Sequence, residues 1–244
     1  MIGIIGAMEE EVQSLYEKMQ DIEKIEKASM QFYKGKLCGK EAVVVRSGIG
    51  KVNAAICTQI LVDIFQVTLV INTGIAGSLD AKVDIGDIVI SDKLVYHDVE
   101  AIAFGYERGQ VPRMDTLYFP ANTELVTLAK QANEKVNPNI QTFVGCIASG
   151  DQFVASKEVK AEVVQLFGAK CVEMEGAAIA HTAYLSQIPC VIIRAISDKA
   201  DESASVDYPT FEKQAIVHSV KLVCELLNSM IPQSAEEAVG IRMV

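Results

Sequence analysis

Met1-Ile2-Gly3-Ile4-Ile5-Gly6-Ala7-Met8-Glu9-Glu10-Glu11-Val12 decides the fold. Residues 2–5 form a short apolar run bounded by glycine, which reads as a buried strand. Val12, Leu15, Tyr16 and Met19 then recur at helical spacing, so a helix follows at once. The alternation continues outward. Residues 32–37 and 42–45 read as strands around a Gly39-Lys40 turn, and 51–65 as a helix. Residues 69–71 and 88–90 read as strands, 121–135 as a helix, 142–148 as a strand and 156–167 as a helix. Residues 171–173 form a short strand feeding an Ala-rich helix, 191–196 another strand, and 216–230 a last amphipathic helix. Residues 96–120 hold Gly105, Gly109, Pro112 and Pro120 and read as a long loop. Strands alternating with helices predict an α/β three-layer sandwich, a central mixed β-sheet flanked by helices. One domain over 1–231 is expected, with an irregular tail over 232–244.

Composition narrows the function. Of 244 residues, 50% are apolar and 22% charged, which excludes a disordered chain. Lys and Arg total 22 against 32 Asp and Glu, a net charge of −10, which argues against a nucleic-acid partner. No apolar run approaches the roughly 18 residues of a membrane span. The first strand begins at Met1, leaving no room for a signal peptide, and a cytoplasmic enzyme is expected. Cys38, Cys57, Cys146, Cys171, Cys190 and Cys224 are dispersed, and His97, His181 and His218 are far apart. Neither a disulfide framework nor a metal site is expected.

In open α/β folds ligands bind beyond the carboxyl ends of the strands, and four such places carry polar residues. Glu9, Glu10 and Glu11 follow the first strand. Acids there suit the helix macrodipole, and helical-wheel arithmetic does not single out Glu11. Ser47-Gly48-Ile49-Gly50-Lys51 is either a tight packing turn or an anion cradle; Asn72-Thr73-Gly74-Ile75-Ala76-Gly77 is similar. Glu173 and Glu175, two apart, project to one side of an extended segment where burial of a carboxylate is costly. Arg194 interrupts an apolar strand, and a buried guanidinium needs a carboxylate partner. Glu11 and Asp198 are the candidates.

Together these segments resemble the 5′-methylthioadenosine/S-adenosylhomocysteine nucleosidases of the nucleoside phosphorylase superfamily. The resemblance runs from Met1 to about Met230. It rests on the opening stretch to Glu11, Ser47 to Val52, Phe104-Gly105-Tyr106, Ser149-Gly150-Asp151-Gln152-Phe153, Val172 to Glu175 and Arg194 to Asp198. It implies water-driven cleavage of an adenosine thioether, giving adenine and a thioribose, with no cofactor and no metal. Glu11 would be the base that activates water. Asp198 would protonate adenine N7, oriented by Ser197. Glu175 would bind the ribose hydroxyls, with Glu173 and Met174 lining the sugar, and Arg194 would help hold Glu11 and the water. Phe153 would stack on adenine and Val154 offer backbone hydrogen bonds. Met8, Ile49, Phe104, Tyr106 and Tyr208 match an apolar alkylthio pocket, with Pro112 reaching in from the other subunit of a homodimer. Ile75 stands where many members carry a serine near the water, and Ala101 is smaller than the usual aliphatic residue.

The chemistry fits those residue types. Adenine leaves poorly as an anion, so N7 needs an acid. An Asp with an ordinary pKa near ~3.9 is ionised at neutral pH and must be sheltered to keep its proton. Water approaches the opposite face under a base, the two-carboxylate logic of glycoside hydrolysis. The rivals are a phosphate-dependent purine nucleoside phosphorylase, a non-catalytic nucleoside-binding module, and a hydrolase of 6-amino-6-deoxyfutalosine. A phosphorylase would need cations around the nucleophile, and Arg46 and Arg194 are the only arginines beside the glycine turns and strand ends concerned.

Overall fold

Successive residues of the apolar runs point to opposite sides of one sheet, and each side has its own helices. A computed structural model describes residues 1–230; the tail expected over 232–244 lies outside the described residues. In chain order the elements are β1 (Ile2–Gly6), α1 (Glu9–Tyr16), β2 (Gln20–Lys27), β3 (Met30–Leu37), β4 (Lys40–Arg46) and α2 (Lys51–Asp63). Then come β5 (Leu69–Ser78), β6 (Ile88–Tyr96), β7 (Phe119–Pro120), α3 (Thr123–Val136) and β8 (Thr142–Ser149). The last are α4 (Lys157–Phe167), β9 (Cys171–Glu173), α5 (Gly176–Leu185), β10 (Cys190–Asp198) and α6 (Ala204–Ser229).

Ile5, Val43, Val45, Val70 and Ile192 pack with Ala54, Cys57 and Leu61 of α2 and Ala177–Ala180 of α5. Their neighbours Ile4, Val44, Ile71 and Ile193 face the other way, against Val12 and Leu15 of α1, Leu125 of α3 and Leu222, Val223 and Leu226 of α6. That period of two sets the three layers expected from the sequence. Strands β1, β4, β5 and β10 run parallel as neighbours, while β6 joins β10 antiparallel.

β5 positions everything that follows. Its first half pairs with β1, β10 runs beside it from Val70 to Gly77, and its end, Gly77–Ser78, pairs with β9. Because β10 also joins β6, β6 joins β8 and β8 joins β9, this half of the sheet closes on itself. The last residues of β8, joined to β9, are thereby brought near the last residues of β5.

Two elements differ from the sequence reading. β2 is a strand that hydrophobic patterning cannot find: its residues are Gln, Asp, Glu and Lys with two isoleucines, and nearly all are exposed. It is held by its antiparallel ladder with β3. α6 begins at Ala204, twelve residues before the apolar stripe at Ile216, because its first turns face solvent. The long loop holds a short helical turn, Ile102–Phe104, and β7.

Candidate active site

Each carboxylate is placed by the residue that ends a strand. After Gly6 the chain enters α1, and Glu11 folds back on the helix start. Its Oε2 accepts from the backbone N–H of Ala7 (2.6 Å) and of Met8 (3.0 Å), and its Oε1 from the N–H of Ile75 (3.1 Å). This is the reciprocal bond of an N3 acid to its N-cap backbone, and it turns the side chain inward to 4% exposure. Glu9 and Glu10 stay nearer the surface. Burial pushes the Glu11 pKa up, against the pull of Arg194 and the three N–H groups.

Arg194 lies in β10 opposite Gly74 of β5. It is fully buried and pairs through Nη2 with Glu173, and at 3.7 Å with Glu175. The direct partner is thus neither Glu11 nor Asp198. Glu173 ends β9, next to the strand that carries Arg194's neighbours, and reaches the guanidinium first. Burial opposes the Arg194 charge, but Glu173, Glu175 and Glu11 outweigh it and hold the pKa above its ordinary value. Arg194 Nη1 has no hydrogen-bond partner among the described residues. It crowds the same point above Gly74 as Glu11 Oε1.

Glu173 is engaged by the protein on both of its oxygens. Its Oε2 accepts from the N–H of Glu175 (3.1 Å) and Gly176 (2.7 Å) as well as from Arg194, and its Oε1 from Ser149 Oγ. Two of these bonds fix the start of α5, and the others tie it to β8 and β10. Ser149 also accepts from the Ala177 N–H at 2.7 Å. Glu175, thus aimed, accepts the N–H of Gly50 at 2.8 Å. Burial first, then the neighbouring Glu173, pushes its pKa up to about 8.

Asp198 ends β10 past an irregularity in the β5 ladder, where it stands opposite Gly77. It is 2% exposed. Ser197 Oγ donates to its Oδ2 at 2.9 Å and the Ala200 N–H to its Oδ1 at 2.8 Å. Burial raises the pKa; those two bonds oppose the rise, and Asp207 and Asp201 add to it. The contact points of Glu11 and Asp198 on β5, Gly74 and Gly77, are three residues apart, roughly 10 Å of extended chain.

Around the acids lie the apolar candidates. Tyr208 Oη is 3.1 Å from Met8 Sδ, and the Phe153 ring meets Tyr208 edge-on with centroids 6.0 Å apart. Val154 and Ile75 are buried and Met174 is half-buried. Met8 and Ile49 line a cavity of about 650 Å³ beside the start of α1. Phe104, Tyr106 and Pro112 do not line it. Within one chain Phe104 is 83% exposed.

Sequence reasoning missed three contributors. Gly74 and Gly77 leave the space that Glu11, Arg194 and Asp198 occupy: a Cβ on Gly77 would stand 2.7 Å from Asp198 Oδ1. Ser149, the first residue of the Ser149–Phe153 motif, joins Glu173 to the start of α5. The third is a brace: Lys51 Nζ meets Asp98 at 2.6 Å, the Lys51 N–H meets Asp151 at 2.8 Å, and the Asp151 N–H meets Asp98 at 2.9 Å. It ties the loop before Phe153 to α2. Two glycines inside one strand, Gly74 and Gly77, are the signal that could have pointed to the first of these. Among the described residues no group of three or more His, Cys, Asp or Glu is placed to hold a metal ion, and no helix is long and apolar enough to cross a membrane.

Buried acids gathered where the strands of a mixed α/β sheet end define a protein of the phosphorylase superfamily, whose family model matches residues 1–231. The 5′-methylthioadenosine/S-adenosylhomocysteine nucleosidase of Staphylococcus saprophyticus is 45% identical over 234 residues, covering 94% of this chain and all of that one. Within the superfamily, the chain belongs to the 5′-methylthioadenosine/S-adenosylhomocysteine nucleosidase family. Among solved structures, the Neisseria meningitidis nucleosidase in complex with methylthio-immucillin-A matches with a TM-score of 0.91 and 42% identity, covering 94% of this chain and 99% of that one. The Helicobacter pylori futalosine hydrolase matches with a TM-score of 0.89 and 36% identity, covering 94% and 97%.

Proposed function

We propose that this chain hydrolyses the N-glycosidic bond of 5′-methylthioadenosine and S-adenosylhomocysteine, releasing adenine and the corresponding thioribose. The observation that carries the reading is the pair of buried carboxylates with raised pKa set along β5, Glu11 over Gly74 beside Arg194 and Asp198 over Gly77. The relatives named as nucleosidases support it.

Asp198 holds a proton because burial disfavours its anion, and it gives that proton to adenine N7 as the bond breaks. Ser197 fixes the donor's orientation. Glu175 bonds the ribose hydroxyls. Burial and the neighbouring Glu173 favour its protonated form in the free site, and the cationic sugar beside it favours the ionised form in the transition state. Water is taken up between Arg194 Nη1 and Glu11. The raised pKa makes Glu11 a stronger base, while Arg194 keeps it ionised. The opposing roles of two carboxyl groups come from their surroundings: Glu11 has a cation at hand and Asp198 has further acids.

A phosphorolytic reaction would need free cations for phosphate. Arg194, the cation beside Glu11, is already matched by Glu173 and Glu175, and Arg46 lies apart from it in the cavity beside α1, which favours water. Phe153 stacks on adenine and Val154 offers its backbone to the base. Met8, Ile49 and Tyr208 take the alkylthio group. Two chains form a homodimer, with Phe104, Tyr106 and Pro112 completing the partner's pocket. The exposed Val52 and Ile56 on α2, beside Ile49, support such a face. Adenine release from methylthioadenosine, S-adenosylhomocysteine and 6-amino-6-deoxyfutalosine, each with and without phosphate, tests the reading. Hydrolysis without phosphate is expected for the two thioethers. Strict phosphate dependence, or no release from either, would overturn it.

A further inference from the structure

The cavity beside α1 is larger and more polar than a methylthio group requires. Its volume of about 650 Å³ lies within the usual range for a whole small-molecule site. Met8 and Ile49 form its apolar part. Glu9, Glu10, Arg46 and Asn53 form the rest. Arg46 is the last residue of β4, opposite Gly6 of β1 in the ladder, so it stands level with the carboxylate-bearing strand ends. Its Nε is 3.8 Å from Glu9 Oε2, and the guanidinium is half-exposed and so open to a ligand. Glu9 is steadied by the Tyr16 hydroxyl.

One cation beside two carboxylates suits neither a simple anion nor a simple cation. It suits a zwitterion whose carboxylate meets a guanidinium fork and whose ammonium meets the acids. Resting on the nucleosidase reading, we propose that this cavity binds the α-amino-acid end of a thioether substrate. Arg46 takes the carboxylate, and Glu9 and Glu10 take the ammonium. Met8 and Ile49, shared by the alkylthio pocket and the cavity, carry the chain of methylenes between them. The site therefore distinguishes an aminoacyl thioether from a methyl one, and Arg46 is the residue that sets that preference.

The test compares adenine release from methylthioadenosine, S-adenosylhomocysteine and the methyl ester of S-adenosylhomocysteine, by the native chain, R46A and R46K. A half-exposed charge-assisted bond predicts that R46A loses about tenfold in kcat/KM on S-adenosylhomocysteine. Methylthioadenosine and the ester should change by no more than about twofold, as for an ordinary surface substitution. R46K should recover part of the loss, since the charge is kept and the fork is not. Equal losses on all three substrates, or no loss on any, would overturn the subsite while leaving hydrolysis standing. A native chain that releases adenine from neither thioether would overturn the hydrolysis reading and the subsite with it.

Discussion

Substituting Gly74 by alanine should disable the site without replacing an ionisable group. Gly74 faces Arg194 across the β5–β10 ladder. A Cβ there would stand 2.5 Å from Glu11 Oε1 and 3.0 Å from Glu11 Cδ, with Arg194 Nη1 closer still. Neither neighbour is a free end. Glu11 is held by three backbone N–H groups, and Arg194 by Glu173 and Glu175, all of them buried. Relief must come from shifting a fixed charge or bending β5, and overpacking of this kind costs about 1–3 kcal/mol. For a chain of this size that lowers Tm by roughly 2–12 °C. A base displaced by about 1 Å loses on the order of 10²-fold in rate. The assay is adenine release from methylthioadenosine, with the melting curve measured on the same preparation. Native rate together with native Tm would refute the argument, because Glu11 and Arg194 could not then both crowd that point.

Other outcomes follow from the same contacts. Glu173→Gln removes the main partner of a buried guanidinium, a loss of about 3–5 kcal/mol when such a pair is broken; an unchanged melting temperature would contradict the pairing. Phe153→Ala should raise KM for methylthioadenosine through lost stacking, with kcat less affected, and an unchanged KM would refute the contact. Glu175 binds its proton more tightly folded, with a pKa of about 8, than unfolded, near 4.5. The folded state therefore loses stability as pH rises through that window. Glu175→Gln should raise Tm at pH 8 more than at pH 5 in calorimetry, and a gain independent of pH would count against the shift.

Much of this was legible in the sequence because burial leaves a pattern. The apolar runs around Ile4, Val44, Ile71 and Ile193 marked the sheet, and polar residues just beyond them marked the cluster of buried acids. Strand β2 escaped because its ladder with β3 is backbone chemistry that charged side chains neither help nor hide. The first turns of α6 escaped because an exposed helix has no apolar stripe. Glu11 was ambiguous since an acid at a helix start suits the dipole whether or not it is buried; only its bonds to Ala7, Met8 and Ile75 separate the two. The partner of Arg194 could not be read because it depends on how β9 meets β5 and β8, pairings distant in sequence. Gly74 and Gly77 matter for the side chains they admit, which only the neighbouring strand reveals.

The central claim is that a sheltered Asp198 protonates the departing adenine. Its most direct measurement is kcat for adenine release by Asp198→Asn, alongside calorimetric binding of methylthioadenosine to the same variant. A fall on the order of 10²–10⁴-fold with binding retained is the result predicted for a lost general acid. Turnover close to native, with adenine still leaving, would contradict it.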